Sequence, residues 1–326
     1  MAPYSESSRV LHLGNVANTG ANMVATARSE GRSWALRELP ASPSLRSASA
    51  WLSRGKDALD YMTHIPTPDL VHVHYGPNGY YGSLKNSPFV LHLHGTDLRV
   101  DLNRPLLGDL EKHSLKKAAA VVVATPDLLE AAREIRPDAR WIPNSLPLAA
   151  FVELKRGDSA TEECCGVFFS ARWDDSKGGL PLIELAKKLI DDGTEVVGVE
   201  WGDYSELARK VGVKLLPRMT PSEFRAAMAQ SSVIVGQFFT GSLTISDLEG
   251  LATGRPLVTQ VDADAEQDAP LINTSLDNAH EAIGTLLADR SSRKELGHLA
   301  QAWVASERSP IRTMEALEYV YQQVLG

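Results

Sequence analysis

Two short runs place histidines at alternate positions, Val71-His72-Val73-His74 and Leu91-His92-Leu93-His94-Gly95-Thr96-Asp97-Leu98-Arg99. On a β-strand this spacing puts each pair on one side, and only His74 and His94 fall at carboxyl ends, where open α/β sheets take ligands. His72 and His92 are expected in the core or behind the site. A neutral imidazole at His94, with Asp97 and Arg99 within a few residues, can orient a hydroxyl or accept a proton. Zinc is the rival reading, weakened by the i, i+2 spacing and the lack of a cysteine partner.

Three further clusters suit anionic groups. In Ala171-Arg172-Trp173-Asp174-Asp175-Ser176-Lys177-Gly178-Gly179, Arg172 directly follows an expected strand and Lys177 precedes the glycines that start a helix. Two cations beside a positive helix end suit a pyrophosphate, whose leaving charge needs fixed positive groups. The segment from Gly236 to Pro256 reads as strand, small-residue loop, helix, glycine stop and proline-led strand. Backbone donors at Gly241, Ser242, Leu243 and Thr244 can approach phosphate oxygens, and Glu249 can accept hydrogen bonds from a ribose diol. The turn Gly14-Asn15-Val16-Ala17-Asn18-Thr19-Gly20 is small enough to admit a ligand to backbone N–H groups, and equally reads as an ordinary turn into a helix.

The elements that must hold these residues alternate short apolar runs with amphipathic stretches, the pattern of βα units around parallel sheets. Strands are expected at Arg9–Leu13, Leu36–Leu39, Leu70–His74, Phe89–His94, Ala119–Ala124 and Arg140–Ile142, then at Gly166–Ser170, Glu195–Glu200, Lys214–Leu216, Val233–Gly236 and Leu257–Gln260. A helix from Pro126 should be capped by Thr125. The polar segment Lys155–Glu163 is the linker candidate, so two consecutive doubly wound α/β domains are expected in the 326 residues, divided near 152/153.

Composition narrows the partners. The net charge is −8, with +2 on residues 1–150 and −10 on 151–326, a poor balance for general nucleic-acid binding. No apolar stretch approaches the ~18 residues of a membrane span, and Met1–Arg9 lacks the features of a secretory leader. The adjacent Cys164 and Cys165 fit neither a disulfide framework nor a zinc site. The expected location is the cytoplasm, with weak peripheral contact at the inner membrane face as a variant. That contact would use the basic helix face of Lys112, His113, Lys116 and Lys117, for which an ordinary solvated face is the preferred reading.

At these residues the chain resembles the retaining GT-B glycosyltransferases, in particular the large family 4 that uses nucleotide sugars. The resemblance runs through Asp69–His74, His94-Gly95-Thr96-Asp97, Val121–Asp127, Ile142-Pro143-Asn144, the Arg172 to Lys177-Gly178 spacing and Glu249-Gly250-Leu251-Ala252-Thr253-Gly254-Arg255-Pro256. It implies a GT-B architecture of two Rossmann-like domains facing across a cleft. The acceptor side would be 1–152, with the helix 311–326 packing back on it, and the donor side 153–310. By the same resemblance Arg172 and Lys177 would neutralise the donor pyrophosphate, Glu249 would hold the ribose, and the loop Thr240–Thr244 would cover phosphate and sugar. His94 would contact the transferred sugar, and neither metal nor cofactor would be required. The acceptor would be a glycan, a lipid-linked sugar or a small molecule.

The chain departs from the family pattern at Gly241, where many members carry a sugar-contacting glutamate, and at Pro147, where an aspartate is usual. Gly241 motivates one alternative, a catalytically silent nucleotide-sugar-binding partner, and Pro147 bears on donor identity; a GT-B nucleotide-sugar epimerase is a separate alternative, ranked lower. The segment Leu216–Thr220 is expected near the base.

Overall fold

A computed structural model describes residues 3–40, 48–156, 166–266 and 268–326. Most of the expected linker, and Cys164 and Cys165, lie outside the described residues. The chain divides into one unit of residues 1–144 and 310–326 and a second of residues 145–309.

Each unit is built on a six-stranded, wholly parallel sheet. The first contains β1 (Val10–Leu13), β2 (Trp34–Arg37), β3 (Leu70–His74), β4 (Phe89–Leu93), β5 (Ala120–Val123) and β6 (Arg140–Trp141), in the order β2-β1-β3-β4-β5-β6. The second contains β7 (Val167–Phe169), β8 (Val196–Val199), β9 (Lys214–Leu216), β10 (Val233–Val235), β11 (Leu257–Thr259) and β12 (Ile272–Asn273), in the order β12-β11-β10-β7-β8-β9. The order reverses between β1 and β3 in one sheet and between β7 and β10 in the other. Such switch points open crevices at the carboxyl ends of the strands.

The helices of the first unit are α1 (Thr19–Ser29), α2 (Ala48–His64), α3 (Thr96–Arg99), α4 (Leu107–Lys117) and α5 (Leu128–Ile135). The second unit holds α6 (Leu148–Arg156), α7 (Gly179–Asp191), α8 (Ser205–Lys210), α9 (Pro221–Gln230), α10 (Ile245–Ala252), α11 (Leu276–Ala288) and α12 (Arg290–Glu307). The last helix, α13 (Pro310–Leu325), belongs to the first unit.

Both faces of each sheet are covered, so the strands are apolar on both sides. In the first unit Leu11, Leu13, Val71, Val73, Leu91 and Leu93 form one core with Leu115 of α4 and Leu128 of α5. Val10, Leu70, Val90 and Val122 point the other way, against Met23 and Val24 of α1 and Leu317, Val320 and Tyr321 of α13. In the second unit Val167, Phe169 and Val235 face α7 and α11, while Phe168, Ile234 and Leu257 face α10 and α12.

Some boundaries differ from the sequence reading for local reasons. The expected division at 152/153 falls inside α6, which carries Ala150 into a core of the second unit and binds Arg225 of α9 through Glu153, so the units divide at 144/145. Helix α5 starts at Leu128 after Asp127, without a side-chain cap. Thr125 instead closes a turn by accepting the Leu128 N–H through its carbonyl. No described helix is long and apolar enough to cross a membrane. The outer face of α4 exposes Lys112, His113, Lys116 and Lys117.

Candidate functional site

The switch point of the first sheet gathers histidine. Register pairs His12 with His72 and His74 with His92, so the alternation within each strand puts His12, His72, His74, His92 and His94 on one face of the sheet. His12 Nδ1 lies 3.0 Å from His74 Nε2, and His74 Nδ1 lies 3.0 Å from His94 Nε2. In parallel, Tyr321 Oη of α13 lies 2.7 Å from His72 Nδ1, and His72 Nε2 lies 3.1 Å from His92 Nδ1. Burial holds every one of these imidazoles below the ordinary histidine range, His12 at about 3 and His94 at about 4. They are therefore neutral at pH 7. His74, expected at an open strand end, is fully buried, because its ring is covered by the Gly14–Gly20 turn; His94 is half-buried.

The turn after β4 is shaped by Asp97, whose buried carboxylate accepts the N–H groups of His94, Gly95, Leu98 and Gly76. Asp97 is thus committed to the backbone, and Arg99 to Asp127 at 2.6 Å and Thr125, so neither stands as a partner for the His94 ring. Below this turn Glu111 is completely buried, with neither carboxyl oxygen hydrogen-bonded among the described residues. Burial, with Asp97 and Asp101 nearby, pushes it up to about 8.

In the turn after β1, Gly14 has φ +85° and Asn15 is engaged locally. Its Oδ1 accepts the Ala21 N–H at 3.1 Å and its Nδ2 donates to Glu38. Ala17 and Asn18 follow with φ 48° and 60°. Gly20 touches both ends of the arrangement. A Cβ there would sit 2.8 Å from the Gly14 carbonyl oxygen and 3.1 Å from His74 Nε2. Gly20→Ala is expected to cost about 1–3 kcal/mol through this overpacking, read as a lower denaturation midpoint; an unchanged midpoint would show that the turn yields freely.

The second sheet's switch point carries the cations. Arg172, just past β7, donates to Ser176 Oγ at 3.0 Å, pairs with Asp174 at 3.3 Å, and lies 5.2 Å from the centre of the Trp201 ring. Arg218, from the loop after β9, lies at the same distance from that ring, so Trp201, half-exposed, joins two guanidinium groups at the ends of three neighbouring strands. Lys177 ends a turn of 3₁₀ helix capped by Asp174, and Gly178 and Gly179 then take φ of +129° and +56° to enter α7.

The loop after β10 is organised by Gln237. Its buried Oε1 accepts from Phe239 and Thr240 N–H groups, and its Nε2 donates to the Ser242 carbonyl at 2.9 Å. Gly241 follows with φ +64°. Leu243 and Ser242 are buried, and Thr244 caps α10 in a reciprocal box with Asp247. Burial pushes the Asp247 carboxyl up, while its bonds to Thr244 and the charge of Lys177 hold it partly down. Lys177 follows β7 and α10 follows β10, so both stand at the carboxyl ends of the strands flanking the switch point. Glu249, two residues beyond Asp247, is buried, with Oε1 bound to Arg225 Nη1 at 2.7 Å; Arg225 also grips Glu153 through Nε and Nη2. Arg225, Gln237 and Trp201 escaped the sequence reading as site organisers. Only Gln237 lay in a segment already singled out.

Two parallel, doubly wound α/β units, each with its polar cluster at a switch point, are the fold class of the GT-B glycosyltransferases. Residues 16–145 match the family described as Glycosyl transferase 4-like domain. Among solved structures the chain is similar to sucrose-phosphate synthase from Thermosynechococcus elongatus (TM-score 0.71, 15% identity, covering 97% of this chain and 99% of that one). It is also similar to a UDP-forming α,α-trehalose-phosphate synthase from Burkholderia xenovorans (0.72, 11%, 98% and 99%) and to Anabaena HepE in complex with UDP and glucose (0.68, 15%, 96% and 99%). No curated protein matches the chain in sequence.

Proposed function

We propose that the protein is a glycosyltransferase that moves a sugar from a nucleotide diphosphate sugar to an acceptor with retention at the anomeric carbon. The observation that carries this reading is the placement of Arg172 and Lys177 after β7, and of the Gly241–Thr244 loop and the start of α10 after β10, the two strands that flank the switch point of the second sheet. Fixed positive charge and a helix N-terminus together favour a departing diphosphate. The family match over residues 16–145 and the UDP-bound HepE structure support it.

In this reading Arg172 and Lys177 bind the diphosphate, the Gly241–Thr244 loop lies over it, Glu249 accepts from the ribose, and His94 touches the transferred sugar. Arg225 keeps Glu249 charged and oriented for that role. The charge is supplied by side chains and backbone with no divalent ion, so turnover should persist in EDTA. Lys177→Ala is expected to weaken UDP or UDP-glucose binding by on the order of 1.5–3 kcal/mol, about 10- to 150-fold, in calorimetry. Unchanged affinity would remove Lys177 from the site.

A second reading, a nucleotide-sugar binder without transfer, is favoured by Gly241. Its φ of +64° suits glycine and would strain the glutamate that the family often carries there. Sugar release from any bound donor, lost in His94→Ala, would exclude it.

A further inference from the structure

The three-imidazole row that ends at His94 has a defined inner terminus. His12 and His74 are fully buried, their shared contact and the contact of His74 with His94 are both 3.0 Å, and His12 Nε2 has no hydrogen-bond partner among the described residues. Each contact joins two ring nitrogens, so each needs one proton between them. With neutral rings only two proton arrangements satisfy the row. In one, every proton sits on the Nδ1 of its ring: His12 donates to His74, His74 donates to His94, and His94 is left with Nδ1–H. In the other, every proton sits on Nε2, and His12 buries an N–H that donates to nothing. Orphaned buried N–H groups are the rarer defect in folded proteins, and a bare acceptor is better tolerated.

We infer that His12 and His74 are positioning residues that hold His94 as its Nδ1–H tautomer, so that the half-buried imidazole presents a hydrogen-bond donor and not a base. Nε2 of His94 is occupied by His74, which leaves Nδ1 as the ring atom available to a ligand. The assignment deepens the proposed function, since a fixed donor suits a sugar hydroxyl or phosphate oxygen; the tautomer itself exists without either. A metal ion gathered by the same rings is a poorer fit. The triads His12/His72/His74 and His74/His92/His94 have clustered nitrogens, but the 3.0 Å contacts are hydrogen-bond distances. Several of the rings are also stacked, His12 on His72 at 4.5 Å and 13°, which turns their lone pairs away from a common centre.

The test is long-range 1H–15N correlation on the full chain with 15N-labelled histidine at pH 7.5, the His94 signals being those lost in His94→Gln. The expected result is a single Nδ1–H tautomer at His94. In His12→Leu, which removes the inner donor, His94 should become a mixture of tautomers although His12 does not touch it. In His12→Asn, whose side-chain amide can donate from the place of Nδ1, the single tautomer should be kept. An Nε2–H tautomer or a tautomer average in the unaltered protein overturns the inference. So does a His94 signal indifferent to His12→Leu in a folded variant, or one that shifts on adding Zn2+ and returns with EDTA. No substrate enters this measurement, so failure of the donor-binding experiment above leaves it standing, and the reverse holds too.

Discussion

Lowering the pH from 7 to 5.5 is expected to remove on the order of 4 kcal/mol from the first unit. Unfolded, each of its five clustered histidines takes up a proton near pH 6.5; folded, burial holds all five well below that, with His94 at about 4. A depressed folded-state value means that the stability is present in full above pH 6.5 and is lost as the pH falls toward those lower values. Over the stated interval the five histidines together lose roughly 6 kcal/mol. Glu111 works in the opposite sense. Its carboxyl, raised to about 8, stays protonated in the fold while its unfolded counterpart ionises, and it returns roughly 2 kcal/mol over the same interval. Amide hydrogen exchange in β1, β3 and β4 would show the loss directly. A change below about 1 kcal/mol would mean that the rings are solvated or already charged.

Arg225→Ala should cost about 3–5 kcal/mol of stability in the second unit, because it strips a cation from between two carboxylates. Arg225 has a side-chain exposure of 8% and Glu249 of 9%, so the remaining charge at Glu249 would be left in a dry setting. Burial already pushes the Glu249 carboxyl up, with the Arg225 bond opposing, and without Arg225 it should rise further. Adding Glu249→Gln to Arg225→Ala should therefore recover a good part of the loss, since the amide needs no counter-charge. Urea titration of the single and double variants makes the comparison. A single-variant loss under 1 kcal/mol would show that water reaches the pair.

The βα alternation was legible because parallel strands buried on both faces read as apolar runs. Leu70–His74 and Lys214–Leu216 appear at the expected residues. The two-residue strand Ile272–Asn273 has too little length for a period, and α6 is preceded by Pro147 in a stretch without polar alternation. At the site, position after a strand was enough to single out Arg172, Lys177 and the Gly241 loop. The contacts that set their surroundings were not legible. Arg225 meets Glu153 and Glu249 from 72 and 24 residues away. The histidine row depends on the register of β1 against β3 and of β3 against β4, which alternation within each strand leaves open.

The first unit is discontinuous in sequence, and that bears on the order in which the protein can be made. Its sheet is synthesised before Asn144, yet Tyr321, which closes over His72, leaves the ribosome only after the whole of 145–309. The second unit is contiguous and can complete its core while the first still lacks α13. During that interval the face of the sheet bearing Val10, Leu70, Val90 and the histidines has no α13 to cover it. That face of the first unit's sheet therefore stays without its last helix throughout the synthesis of 145–309.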